Sequence, residues 1–325
     1  MQKTPVWQFK ACQNWVKTIM ISELVENDEV VAEMFCGTGL DTGKWERAKI
    51  GKYVGYGMYH NHSINQKKHR CQTKTNHHSS CVDHPSHVII DGYYSLSLDP
   101  SRENLAEAEI KWKHKKCPYE AEFKQVNLIE ESIDPTIIGS TTPIGEDIKM
   151  GDGSSGVKEI FGVVSCFDGL QSAFDSVEHA TTFIQNVSSR LKNGGYFFGI
   201  IPDSSAIWYK SQKVLTGLPA IKSSLFNIEF DSDNFTFYGT KYNLNMKDGT
   251  NVNENLIHFP TFINLCKQNN LLFIEASNLS DFYEDNKKNY EAKLKQSGVL
   301  SSKGKIEPPQ LELIKIDQPQ VLQNK

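Results

Sequence analysis

Val30 to Trp45 reads VVAEMFCGTGLDTGKW, an apolar run that breaks into Cys36-Gly37-Thr38-Gly39 and then into a helix-like stretch. A strand that turns through glycines into a helix offers backbone N–H groups to a nucleotide-like cofactor, and the glycines let the backbone approach it closely. Phe35 stands where such loops normally place their first glycine. In folds of this kind an acid at the end of the second strand, about 20 residues on, takes the ribose hydroxyls. Here the second apolar run, Tyr53-Val-Gly-Tyr56, ends without an acid. Asp91 lies 55 positions beyond Cys36, and setting aside the 34 residues Gly57–Ile90 leaves 21, the expected interval. A nicotinamide site is disfavoured, because Thr42 occupies the third glycine position of a G-x-G-x-x-G loop.

Gly57–Ile90 therefore reads as a disordered insertion within the cofactor domain. It holds seven of the ten histidines and shows no periodicity. Cys71, His77, His78, Cys81, His84 and His87 invite a zinc site, but Cys71 and Cys81 lack the close pairing of structural zinc ligands and no second pair follows. No metal is expected.

The elements that must position these residues follow from periodicity and punctuation. Gln13–Leu24 has the apolar spacing of an amphipathic helix, Val30–Met34 and Tyr53–Tyr56 read as buried strands, and Thr42–Lys49 reads as a helix. A helix in RENLAEAEIKWKHKK and strands at Glu120–Val126 and Ile160–Cys166 follow, with Ile138–Gly156 a loop by composition. Ser176–Leu191 predicts a helix closed by a glycine cap at Lys192-Asn-Gly-Gly195, then a strand at Tyr196–Ile201. Aromatic-rich runs within 205–258 (FNIEF, FTFYG, KYNLNM, LIHF) predict an antiparallel lobe. A helix at Thr261–Gln268, a strand at Leu271–Ala276 and a helix at Ser280–Lys295 complete residues 1–300. Residues 301–325 read as a polar tail without a final strand. Alternation of strands and helices predicts an α/β fold with a mostly parallel sheet covered on both faces.

A net charge of −4 argues against a broadly basic surface, so any nucleic-acid contact must be local to a pocket. Seven scattered cysteines fit a reducing compartment better than a disulfide framework. No apolar stretch has bilayer length, and the polar start MQKTPVWQFK does not resemble a signal peptide.

Taken in order, QNWVKTIMI, EMFCGTGLDTGKW, the strand with its acid, VSCFDGLQSAFDS, LKNGGYFFGIIPDSS, YGTKYNL, ENLIHFP and SDFYEDN resemble the mRNA cap guanine-N7 methyltransferases, especially the divergent second type of plants. The similarity covers about residues 7–295 without the insertion. It implies a class I S-adenosylmethionine-dependent, Rossmann-like fold with a seven-stranded sheet and a small antiparallel lobe on the cap side. It also implies S-adenosyl-L-methionine as methyl donor, 5′-capped RNA as partner, a monomer, contact with the capping or transcription machinery, and nuclear placement.

Residue by residue, the resemblance implies that Gln13 and Asn14 touch the cap guanosine while Lys17 reaches the donor carboxylate. Cys36, Gly37 and Gly39 would line the donor loop, Asp91 would hold the ribose, Asn127 would lie near the adenine, and Phe167 would lie near the donor. Gln171, Ser172 and Glu254 would face the cap, with Glu254 reading the guanine edge. Thr38 stands where the family typically has a basic residue, and Phe167 where it has Gln.

The chemistry implied needs no proton-abstracting residue. Guanine N7 is an in-plane lone-pair acceptor, so alignment and electrostatics suffice. No Ser–His–Asp or paired-acid constellation is required, and none is evident. A different reading, a cap- or RNA-binding relative with weak or no catalysis, is motivated by Thr38, the insertion and the expected lack of a final strand.

Overall fold

The computed structural model describes residues 4–57, 102–133, 160–213 and 217–325. Asp91, most of Gly57–Ile90 and the Ile138–Gly156 loop lie outside them.

The chain opens with α1 (Trp7–Leu24), β1 (Val30–Met34), α2 (Thr42–Ala48) and β2 (Lys52–Gly57). It continues through α3 (Arg102–His114), β3 (Glu120–Gln125), β4 (Phe161–Cys166) and a 3-10 turn at Leu170–Asp175 to α4 (Val177–Ser188). Next come β5 (Leu191–Pro202), α5 (Ser204–Ser211), β6 (Ala220–Lys222), β7 (Phe226–Phe230), β8 (Lys241–Met246) and β9 (Asn251–Asn255). The described chain closes with α6 (Phe259–Gln268), β10 (Leu271–Ala276), α7 (Leu279–Asn286), α8 (Glu291–Ser297), α9 (Pro308–Ile314) and β11 (Asp317–Asn324).

Seven strands form one sheet in the order β10-β11-β5-β4-β1-β2-β3. β3, β2, β1, β4 and β5 are parallel. β11 runs antiparallel between β5 and β10. This is the seven-stranded Rossmann-like sheet that the family resemblance implies. β4 is buried along its whole length and β1 in four of its five residues, as expected for strands covered on both faces. The order reverses where β1 meets β4, so the crevice for a ligand opens beyond the carboxyl ends of those strands. A separate antiparallel sheet, β6-β7-β8-β9, forms the lobe beside that edge.

Residues 301–325 are not a polar tail. They form α9 and then β11, whose residues are buried except Gln323. DQPQVLQN carries no period-2 apolar pattern, because its stability comes from pairing on both sides and from amides that find backbone partners. Asn324 Nδ2 donates to Leu191 O at 2.6 Å, and Gln323 Nε2 donates to Gly194 O at 3.0 Å. Pro319 lies beyond the last β10–β11 pair, Ala276↔Gln320, where a missing N–H is tolerated. The end of the chain also pins its beginning: Gln8 Nε2 donates to Val299 O at 2.8 Å and Gln8 Oε1 accepts from Glu307 N at 2.9 Å.

Other boundaries shift for local reasons. The expected Ser280–Lys295 helix is two helices, broken between Asn286 and Glu291. The expected glycine cap after α4 is absent: Ser189 closes that helix in a right-handed conformation. Gly195 instead lies within β5, where a Cβ would stand 2.6 Å from Gly162 O. FTFYG is a loop, folded by a hydrogen bond from Thr236 N to Thr240 Oγ1 (2.8 Å), and NVNEN rather than LIHF forms the fourth strand of the lobe. β2 extends through Gly57, the first residue assigned to the insertion.

Candidate functional site

The loop after β1 turns through three left-handed residues, Phe35 (φ 55°), Gly37 (φ 52°) and Gly39 (φ 68°). A Cβ on Gly39 would meet Ala108 of α3 at 2.8 Å, so glycine lets the helix close over the loop. Among the described residues nothing lies within 4 Å of a Cβ built on Gly37, leaving open space above that backbone. Phe35 tolerates its backbone because its ring stacks on Phe183 of α4 (centroids 5.4 Å apart, planes 3° apart) and seats against Gly169. Thr38 accepts a hydrogen bond from Lys111 of α3 at 3.1 Å, which brings a cation to the position that lacks its own.

Beneath the loop lies a charged network that sequence reasoning missed. Asp41, at the start of α2, is flanked by Lys17 Nζ at 3.0 Å and by Lys44. Burial would raise Asp41, but the two ammonium groups outweigh it and hold the carboxyl at about 2. Burial pulls the Lys17 ammonium down, yet Asp41 and Glu33 together raise it above its ordinary value. Glu33 of β1 accepts from Tyr53 OH at 2.8 Å and Trp45 Nε1 at 3.0 Å; burial and then Asp41 push it to about 7. A lone acid inside an apolar strand was the available signal, since an unpaired buried carboxylate is too costly to be incidental. Cys36 is buried and its thiol is pushed up by burial and Glu33, so it lines the loop as an apolar group.

Lys17 also sits over the Phe167 ring at 4.9 Å, joining α1 to the turn after β4. In that turn Asp168 is raised by burial, against the pull of Lys17. Gln171 Nε2 reaches Asp168 Oδ1 at 3.4 Å and Glu254 Oε1 at 3.2 Å. The Gln171 Oε1 atom is buried and has no hydrogen-bond partner among the described residues. Tyr242 OH donates to Glu254 Oε2 at 2.6 Å, across the β8–β9 pair that places the two residues side by side. Burial drives Glu254 to about 7, and Asp168 adds to it.

One helical turn before Lys17, Gln13 Nε2 donates to Asp317 Oδ2 at 2.7 Å. Asp317 opens β11, and burial, with Glu254, Asp168 and Asp203, drives it to about 8. Polar sequence hid this residue, because its strand was not expected.

Of the residues singled out from sequence, Gln13, Lys17, Phe167, Gln171 and Glu254 are joined by these contacts and by the carboxyls between them. Gly37 and Gly39 shape the adjoining loop. Asn14 is exposed on α1, and its carbonyl accepts from Thr18 Oγ1. Ser172 Oγ donates to Gly169 O at 2.6 Å and so holds the turn itself. Asn127 is buried past the end of β3, with its Oδ1 accepting weakly from Ile129 N at 3.4 Å. Asp91 lies outside the described residues.

The model of the mRNA (guanine-N(7))-methyltransferase domain matches residues 1–104 and 96–305. The chain is 28% identical over 306 residues to mRNA cap guanine-N(7) methyltransferase 2 of Oryza sativa subsp. japonica, covering 90% of this chain and 73% of that protein. It is 27% identical to mRNA cap guanine-N(7) methyltransferase 2 of Arabidopsis thaliana over 93% of this chain and 73% of that protein. Among solved structures, an S-adenosylmethionine-dependent methyltransferase from Clostridium acetobutylicum superimposes with a TM-score of 0.45 at 13% identity, covering 97% of this chain and 92% of that one.

Proposed function

This chain belongs to the mRNA (guanine-N(7))-methyltransferase family, and from that premise we propose that the site described above transfers a methyl group from S-adenosyl-L-methionine to N7 of the 5′ guanosine cap of mRNA. The observation that carries the reading is the position of Glu254. Both its oxygens are held, by Tyr242 and Gln171, and Gln171 in turn reaches Asp168 beside the Lys17–Phe167 contact of the donor side. In this reading Glu254 reads the acceptor, and its contacts through Gln171 and Asp168 support a link to the donor side.

The residues present fit the donor. Open space above Gly37 suits close approach of a ligand to the backbone, and an ammonium at Lys17 suits a carboxylate. When bound, the donor supplies a methyl carbon activated by a sulfonium. Lys17, Cys36, Gly37, Gly39, Asn127 and Phe167 hold it in this reading, with Asp91 on the ribose. Phe167 in place of a polar residue offers an apolar ring rather than a hydrogen bond.

Gln13, Asn14, Gln171, Ser172 and Glu254 hold the guanosine. N7 presents a lone pair and needs no deprotonation, so the protein's work is alignment and charge placement. Glu254, once ionised, accepts from the guanine N1–H and N2–H and favours the positive charge that develops on the purine. Tyr242, donating to Glu254 Oε2, fixes the orientation of that carboxylate. No residue here acts as a general base. The protein works in this reading as a nuclear monomer, in reach of the capping or transcription machinery.

Methyl transfer to GpppG-capped RNA, beside calorimetry of donor binding, tests the reading. Transfer to the capped RNA and none to the same RNA with a 5′ triphosphate supports it. Donor and cap binding without transfer would replace it with a cap-binding relative.

A further inference from the structure

Around α5, outside the pocket, exposed aromatic rings alternate with lysines. Tyr209 is 69% exposed and carries Lys213 Nζ over its ring at 4.7 Å. Trp208 beside it contacts Phe235 (centroids 4.7 Å), Phe235 meets His258 edge-on (5.5 Å), and His258 stacks with Phe237 (4.7 Å, planes 24° apart). Phe237 is 60% exposed, although an unused aromatic of its size is usually covered. Three lysines share the face: Lys210 and Lys213 on or just after α5, and Lys315 before β11. Lys210 is lowered by burial and then by Lys315, against the pull of Glu312 and Asp203, with Lys213 adding to the repulsion. None of the three is in an ion pair among the described residues. The two acids whose charge reaches Lys210 also hold hydrogen bonds elsewhere. Asp203 caps α5 through Ala206 N and accepts from Asn278, and Glu312 accepts from Ser223.

This face connects by contacts to Glu254: Trp208 meets Phe230 edge-on at 5.5 Å, Phe230 lies 5.6 Å from Tyr242, and Tyr242 OH donates to Glu254. Asp317 pairs with Pro202 in the sheet, α5 begins two residues later at Ser204, and His258 follows Glu254 by four positions. We infer that the face formed by Tyr209, Phe237, Lys210, Lys213 and Lys315 binds the single-stranded RNA chain that follows the cap, with bases stacked on the two exposed rings and phosphates against the lysines. The inference rests on the cap-methylation reading and adds the path of the substrate beyond its first nucleotide. Base–aromatic stacking accepts any base, and lysines without carboxylate partners release counterions when phosphates replace them. The occupant is therefore recognised by strand chemistry rather than by sequence. An acidic protein chain would use the lysines but would leave the two rings without flat partners.

The test compares the dinucleotide cap GpppG with a GpppG-capped RNA of roughly 20 nucleotides, longer than the usual site of one single-strand binding surface. The variants are Tyr209→Ala, Phe237→Ala and the double change K210E/K213E. The expected result is a KM for the capped RNA about tenfold higher or more, with kcat and the dinucleotide KM unchanged. The dependence of log KM on log salt should also become shallower by about 1–2 in the double variant. Unchanged KM for the long RNA in all three would overturn the inference and leave the face to a protein partner. Equal loss on both substrates would overturn it as well, since the residues would then serve the pocket or the fold. If the wild-type chain methylated neither substrate, the activity reading would fall. Fluorescence anisotropy with the labelled capped RNA would still decide this face: weaker binding in the variants supports it, and equal binding overturns it.

Discussion

Gln13 of the first helix donates to Asp317 of the last strand at 2.7 Å, so the first helix and the last described strand are tied together. The contact ties the segment that begins with Asp317 to the helix that carries Lys17. It also sets a carboxyl with a strongly raised proton affinity beside Glu254 and Asp168.

That affinity makes stability fall as pH rises. A carboxyl near 4 when unfolded and about 8 when folded binds more protons in the native state throughout that interval. Its stabilising contribution is present in full below pH 4, declines between 4 and 8, and is lost above. Urea midpoints measured from pH 5 to 8 should fall in the wild type and fall less steeply in Asp317→Asn. An identical slope in the variant would place the effect elsewhere. Glu33 and Glu254, both at about 7, contribute in the same direction and keep the remaining slope negative.

The same proton affinity should appear in turnover. Glu254 must be ionised to accept both guanine donors, and burial holds it at about 7. We expect kcat/KM for capped RNA to rise with pH through about 7, and Glu254→Gln to lose that limb while other features of the profile remain. A profile equally steep in the variant would assign the limb to another group.

Lys17 ties Asp41 to Phe167. Lys17→Met keeps most of the apolar stem and removes the charge. Donor affinity should weaken by about 1.5–3 kcal/mol, the scale of a charge-assisted hydrogen bond, measured by calorimetry. Affinity within error of wild type would remove Lys17 from the donor side.

Gln320 is fully buried, and among the described residues neither atom of its amide has a hydrogen-bond partner. Replacing it by Met, close in shape and apolar, should stabilise the fold by about 1–2 kcal/mol, because an unsatisfied buried amide carries its desolvation cost. Thermal or urea unfolding reads this directly, and a lower midpoint would mean that the amide has a partner. Gln320 is opposite Gly199 in β5, far in sequence from anything that would mark it.

How legible all this was depends on where each residue draws its stability. VVAEM and FGVVSC announce themselves because parallel central strands must be apolar on both faces, and the glycine loop follows from its turn. The site residues of α1 and Glu254 came from their order along the chain. β11 escaped because its stability lies in two neighbouring strands, and a run such as DQPQVLQN has no local pattern to display. Phe35 looked like a departure from a glycine loop. Its strain, on the order of 1–2 kcal/mol for a left-handed residue, is offset by stacking on Phe183, which no local rule reveals. Glu33 and Asp41 were overlooked since their partners, Tyr53 and Lys17, are distant in sequence.

The central claim is that Glu254 acts on the acceptor while the loop after β1 acts on the donor. One variant tests it most directly, Glu254→Gln, with methyl transfer to GpppG-capped RNA and S-adenosylmethionine affinity measured on the same preparation. The amide keeps the shape but cannot accept from both guanine donors without presenting its own. Methyl transfer should fall on the order of 10²-fold, as for other preorganised electrostatic groups, with donor affinity unchanged. Transfer at the wild-type rate would contradict the account and leave Glu254 as a carboxyl that serves only Tyr242 and Gln171.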